Sequence, residues 1–335
     1  MTDKTLEERF EAFNKRPSPH FFTRNKTNTI MAKVLLALCL PAAAGVYYFG
    51  LRVILMILVG AASSVFFEWL YVYIKRDTLR INDLSAVVTG VLIGLSLPVT
   101  APLFTIVIGS AIAILLVKMP FGGIGKNPFN PAVAARVSLK LFFSPWITNW
   151  VLPLTPSQDV VTTATPLESI GHFASSVPAG TSGLWELFIG HNLGGPVGET
   201  CKLALLLAML YLIFQKIINP WIPLLYMATL MVTVAFFSEK GFDLQFMLTH
   251  LLSGSAIFVA VFMATDYSSG ALTPNGQKVF GIGCGLLTGL IRMLLNLPGG
   301  AGIAVLVMNA SVPLLDKWFA PRIYGHKKSV SHELT

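Results

Sequence analysis

The stretch Asp159-Val160-Val161-Thr162-Thr163-Ala164-Thr165 sets three threonine hydroxyls just after a carboxylate, with Pro166 closing the run. A threonine hydroxyl on an exposed, mobile backbone is an oxygen nucleophile that phosphoryl transfer can use. The plain alternative is a polar loop that happens to be rich in threonine. A second stretch, Pro120-Phe121-Gly122-Gly123-Ile124-Gly125-Lys126-Asn127-Pro128-Phe129-Asn130-Pro131-Ala132, has the look of a phosphate-binding loop. Pro120 stands where that motif needs its first glycine and Asn127 where it needs Ser or Thr, so no ATP site is expected. These glycines read equally well as a helix-breaking turn.

Isolated charges lie within apolar sequence. Glu68 sits well inside one run, and Arg136 and Lys140 fall four residues apart on one helix face. Charges in lipid are costly and face a cavity or a partner. Glu68 is therefore either on an ion pathway or in a structural pair, and the basic pair either stabilises an anionic cofactor or neutralises an acid. Asp83 and Asp266 stand at helix ends, where capping is the expected role. Gly281, Gly285 and Gly289 recur every four residues, a pattern that lets helix backbones approach closely. Cys39, Cys201 and Cys284 form no CxxC pair, and the six histidines lack ligand spacing, so no metal site is expected.

These residues are positioned by a largely apolar chain. Of 335 residues 54% are hydrophobic and only 12% charged, and mean hydropathy is +0.69. A soluble domain carries about a quarter charged residues, so the solvent for most of this chain is lipid. The segmentation predicts an all-α integral membrane protein with ten transmembrane helices, near 34–50, 53–74, 84–98, 102–119, 129–148, 202–218, 221–238, 245–265, 279–297 and 300–316. Residues 1–33 and 317–335 form tails, and 149–201 form the longest loop between two five-helix halves, 34–148 and 202–316. The net charge of +8 comes from basic residues at the ends of apolar runs, which argues orientation rather than nucleic-acid binding. Lys75, Arg76, Arg80, Lys118, Lys126, Lys216 and Lys278 fall on the side of the basic tails, which is then cytoplasmic; Arg52, Lys202, Lys240 and Arg292 are left for the other. The 149–201 loop has no Lys or Arg and belongs outside.

The halves echo one another. Thr89-Gly90-Val91-Leu92-Ile93-Gly94 is echoed by Ser253-Gly254-Ser255-Ala256-Ile257, and Phe129-Asn130-Pro131-Ala132 by Met308-Asn309-Ala310-Ser311. Five spans in each half predict two inverted repeats with the functional centre between them.

The 159–165 stretch resembles the flavin-attachment motif D-x-x-[ST]-G-A-T, with Thr163 in place of the glycine. The 120–132 stretch resembles the G-G-x-G-K-N-x-x-N-P-A run of the family formed by the B subunit of the sodium-pumping NADH:quinone reductase and its counterpart in the Rnf complex, RnfD. The resemblance implies a urea-transporter-like fold in the bacterial inner membrane. It implies FMN joined through its phosphate to Thr165 by a flavin transferase that reads Asp159, Thr162, Thr163 and Ala164. It further implies a noncovalent riboflavin, for which Gly122, Gly123, Asn127 and Asn130 are the candidate vicinity. The partners are then the other membrane and peripheral Rnf subunits, with sodium ions or protons translocated as electrons pass between ferredoxin and NAD. Two alternatives stay open: the quinone-reductase subunit, and a flavin-free channel or transporter for a small solute.

Overall fold

The computed structural model describes residues 26–76, 83–151, 183–190, 194–238, 241–295, 297 and 299–320, and the regular elements among them are helical. In order they are α1 (Thr27–Phe49), α2 (Arg52–Lys75), α3 (Ser85–Leu95) and α4 (Leu103–Ala111), the last continuing as a π-helical stretch, Ile112–Lys118. Then come α5 (Pro131–Phe142), α6 (Ser144–Ile147), α7 (Leu184–Ile189) and a 3-10 turn, Val197–Glu199. The second half contains α8 (Lys202–Phe214), α9 (Trp221–Phe237), α10 (Leu244–Leu252) and α11 (Ala256–Phe258), which runs on as a π-helical stretch, Val259–Met263. It ends with α12 (Pro274–Leu294) and α13 (Gly300–Trp318).

Among the described residues α1, α2 and α13 are long and apolar enough to cross a membrane. α10 with α11 passes the same test as a pair bent by 65°. Four further helices, Ser85–Leu95, Leu103–Lys118, Lys202–Phe214 and Trp221–Phe237, are apolar but shorter. Two expected spans are interrupted. Residues 129–148 hold α5, a break at Phe143 and the separate α6, and 245–265 break at Ser253 to Ser255. Pro145 at the start of α6 and Gly254, at φ 66°, supply the chemistry of those breaks.

The apolar surface shows what solvates it. Leu58, Phe66 and Tyr73 on α2 are 60%, 52% and 70% exposed, a face that would drive aggregation in water and is at home in lipid. α3 and α11 are the opposite case. Ten of the eleven residues of α3 are buried, and so is every residue from Ala256 to Met263. A helix apolar all round belongs at the centre, and the other helices are arranged around these two.

Small residues permit the closest crossings. A Cβ at Gly90 of α3 would overlap the Gly60 carbonyl of α2. The Gly281, Gly285 and Gly289 pattern packs α12 on α9, as the spacing predicts: their missing Cβ atoms face Ile222, then Tyr226 and Thr229, then Thr233. Gly285→Ala should destabilise the protein by about 1–3 kcal/mol, because the new methyl meets backbone and a fixed hydroxyl. Gly283→Ala meets only the flexible end of Met308 and should cost less. Thermal unfolding of the two purified variants in detergent compares them directly; equal melting temperatures would contradict this packing.

Candidate functional site: two clefts joined by a pair of broken helices

α3 and α11 run between two clefts. The first, of about 710 Å³, is lined by Ser85, Thr89 and Leu92 of α3 and by Val261, Phe262 and Asp266 at the other end of the α11 stretch. The second, of about 730 Å³, is lined by Ser96 and Leu97 just beyond α3 and by Gly254 and Ser255 just before α11. Leu95, Ile257 and Phe258 lie between the two sets in the chain and are at most 1% exposed. A Cβ on Gly198 would sit 2.8 Å from Leu95 and 3.3 Å from Phe258, so Leu95 and Phe258 meet at one spot, with Ile257 next to Phe258 in the chain. They form an apolar plug between the clefts.

Polar side chains pin the broken ends. Asn130 caps α5 by accepting from the Ala132 and Val133 amides at 2.9 and 3.2 Å, and its Nδ2 donates to the Met263 carbonyl at 3.1 Å. Asn309, its counterpart in the sequence echo, meets it. With the Asn309 amide oriented to satisfy both ends, its oxygen accepts from the Asn130 N–H at 3.0 Å and its nitrogen donates to the Ser269 carbonyl at 3.2 Å. The pair of motifs found by comparing the halves is thus one physical junction.

Gly122, Gly123 and Gly125 have φ of 101°, 83° and 87°, so the 120–132 stretch is the helix-breaking turn that its glycines suggest. The turn returns the buried Asn127 amide beneath the carbonyls of Lys118 and Gly123. Asn127 and Asn130 line the first cleft, whereas Gly122 and Gly123 shape the turn without entering that lining.

Lys118 corrects the sequence threading, which places it in a cytoplasmic loop. It is 1% exposed, donates to Glu68 Oε1 at 2.6 Å and to Ser85 Oγ at 2.5 Å, and lines the first cleft. Ser85 Oγ in turn donates to Asp83 Oδ1 at 2.5 Å, and the Ser85 amide donates to the same oxygen. Asp83 therefore caps the start of α3, as expected of its position. The π-helical turn that ends on Lys118 directs it inward, and i→i+5 bonding leaves no mark in hydrophobic periodicity. Asp266 accepts from Ser268 and Ser269 in a local turn, and burial raises its pKa despite those bonds. Burial, with the Asp266 and Asp83 carboxylates, pushes the Tyr267 phenol up to about 12.

The second cleft is cationic. Arg136 pairs with Glu199, which is 2% exposed, so an acid does meet the basic pair. Lys140 lines the same cleft and occupies the space left by the missing side chain of Gly299. Lys202 and Arg292, read from the sequence as outward helix ends, are buried at 4% and 5% exposure. Lys202 donates to the Glu199 carbonyl and, at 3.1 Å, to that of Gly254; Arg292 donates to the carbonyls of His250 at 2.5 Å and Ser253 at 3.3 Å. Both cations satisfy the C-terminal end of α10 where the span breaks. The buried Trp150 Nε1, whose residue lines this cleft, has no hydrogen-bond partner among the described residues. Asp159, Thr162, Thr163, Ala164 and Thr165 lie outside the described residues.

The model of the NQR2, RnfD, RnfE family matches residues 14–325. The chain is 38% identical over 317 residues to the D component of the Na(+)-translocating ferredoxin:NAD(+) oxidoreductase complex of Acetobacterium woodii, covering 93% of this chain and 95% of that protein. It is 35% identical over 316 residues to the D component of the proton-translocating ferredoxin:NAD(+) oxidoreductase complex of Clostridium ljungdahlii, with 93% and 96% covered. It is 33% identical to the D component of the ion-translocating oxidoreductase complex of Erwinia tasmaniensis, with 95% and 99% covered.

The Glu68–Lys118 pair yields a prediction. Removing one partner strands a buried charge, so Glu68→Ala should lower stability by about 3–5 kcal/mol, whereas Glu68→Leu with Lys118→Met should cost much less. The midpoint of unfolding by sodium dodecyl sulfate in mixed micelles reports both. A double variant no more stable than Glu68→Ala would show that the two charges do not depend on each other.

Proposed function

Because the chain belongs to the NQR2, RnfD, RnfE family, we propose that it is the flavin-carrying membrane subunit of an ion-translocating ferredoxin:NAD oxidoreductase complex of the Rnf type. The observation that carries this reading is the match to the D components of such complexes along nearly the whole length of both chains. Two clefts separated by an apolar plug suit a translocating subunit better than a simple electron carrier, since an ion needs an approach from each side. The fold in this reading has ten spans in two inverted repeats of the urea-transporter kind, and the Asn130 to Asn309 junction supports that symmetry. It lies in the bacterial inner membrane with both termini cytoplasmic and 149–201 outside.

The second cleft is lined by Arg136, Lys140 and Trp150, whose buried Nε1–H has no hydrogen-bond partner among the described residues. It is where FMN on Thr165 is received in this proposal, after a flavin transferase has joined it to the threonine hydroxyl. The first cleft, with Asn127 and Asn130 in its lining, is the vicinity of the noncovalent riboflavin in this reading. A bound flavin supplies one- and two-electron redox chemistry, and the protein fixes its position and its surroundings. Glu68 and Lys118, beside the first cleft, are the candidate stops on the ion path, and their pairing holds the carboxylate in place. The relatives named for sodium and for protons share this type of component, so the ion is chosen by details finer than the family.

Thr165→Ala tests the reading. The variant should insert and assemble with its partners, yet its band on a denaturing gel should lose flavin fluorescence and its intact mass should lack the FMN moiety. Thr163→Ala should keep both. A fluorescent Thr165→Ala band, or a wild-type chain without flavin in cells that express the transferase, would remove the covalent cofactor and favour a flavin-free transporter.

A further inference from the structure

A third recess lies beside the mouth of the first cleft, with about 460 Å³ of space lined by Ile30, Lys33, Lys216, Ile217 and Tyr267. Lys33 is nearly two turns into α1 and Lys216 follows the end of α8, and these two helices pack against each other. The recess therefore sits at one end of an antiparallel helix pair, with two ammonium groups and a phenol at its walls.

Among the described residues the lining includes no carboxylate. Lys216 also holds a left-handed backbone at φ 53°, a conformation that glycine adopts without strain and lysine does not. A glycine would end α8 there just as well, so the ammonium rather than the backbone is what this position supplies. Away from the recess the same helices turn apolar side chains outward: Leu36 and Leu40 on α1, Leu210 and Phe214 on α8. Leu36 is 58% and Phe214 80% exposed. A polar, cationic notch above an apolar, lipid-facing surface matches one class of molecule in charge and in shape.

We propose that this recess binds the headgroup of an anionic phospholipid, its phosphate held between Lys33 and Lys216 with the Tyr267 hydroxyl as a further donor, and its acyl chains lying along α1 and α8. Basic pockets between transmembrane helices at the cytoplasmic face take such headgroups, and each lysine adds a similar electrostatic share. Because Ile217 and Tyr267 line both the recess and the first cleft, the bound lipid closes the side of that cleft's mouth. This conclusion rests on the geometry of the recess and not on the flavin assignments.

The test uses the full chain purified in detergent, exchanged against mixtures of phosphatidylglycerol and phosphatidylcholine and weighed intact by native mass spectrometry. The wild type should retain phosphatidylglycerol in preference, and Lys33→Gln with Lys216→Gln should lower that retention about tenfold or more. Lys278→Gln should keep it, since Lys278 lies 5.4 Å over the Trp221 ring outside the recess and controls for loss of positive charge alone. Lys216→Gly separates binding from folding, because it relieves the backbone strain: it should melt no lower than the wild type and still lose lipid. Retention of phosphatidylglycerol by Lys216→Gly or by the double variant at the wild-type level would overturn the proposal. Displacement of the lipid by millimolar inorganic phosphate would also overturn it, since the recess would then be a site for a soluble anion.

Discussion

A helix that stops inside an apolar layer leaves backbone carbonyls and amides that lipid cannot satisfy, and every feature of the centre of this protein answers that constraint. The breaks beyond α3 and on either side of α11 are met by polar groups from elsewhere in the chain. The Leu97 carbonyl beyond α3 accepts from the Val197 amide at 3.1 Å, and the Ala101 carbonyl from Arg52 at 3.3 Å. The end of α10 is met by Lys202 and Arg292, and the end of the α11 stretch by Asn130. The bonds that these three side chains send to the ends of α10 and the α11 stretch span 39 to 133 residues of sequence, so the breaks themselves tie distant parts of the chain together. What costs backbone bonding locally supplies long-range order globally.

The same requirement sets the electrostatics. Lys202 and Arg292 are recruited to the end of α10, and Arg136 pairs with Glu199 in the lining of the second cleft. Beside the first cleft, Glu68 pairs with Lys118, and Asp83 accepts from the same Ser85 that Lys118 bonds. Charged side chains thus gather at both ends of the α3 and α11 pair. Neither sign of charge is favoured at the plug of Leu95, Ile257 and Phe258.

Part of this is legible in the sequence. Asn130 and Asn309 stand out because both halves repeat the motif around them, and a polar residue repeated at equivalent places in apolar sequence has a shared structural reason. The glycine spacing of α12 is readable because close packing needs the same small residue at each turn. Lys118, Lys202 and Arg292 escape the same reading for one cause. Charge counting assigns every basic residue to water, and it cannot distinguish a lysine at a loop from one bonded to a buried carboxylate or carbonyl. The recess of Lys33 and Lys216 is hidden for a related reason, since residues so far apart in sequence come together only through the packing of α1 on α8.

The plug constrains how the molecule can work. An ion in the first cleft that moved toward the second would lose the oxygens of Ser85 and Asp266 and meet only hydrocarbon at Leu95 and Phe258, a transfer opposed by the full cost of a charge in an apolar medium. The plug side chains sit on α3 and α11, which are closely packed on all sides, so they cannot swing aside one at a time. Opening requires the short helices to move, and the α11 stretch is held at its end by Asn130 and before its start by Lys202 and Arg292. Two of those three are cations beside the second cleft. A change of charge on a group within that cleft therefore acts on the bonds that hold the break between α10 and α11.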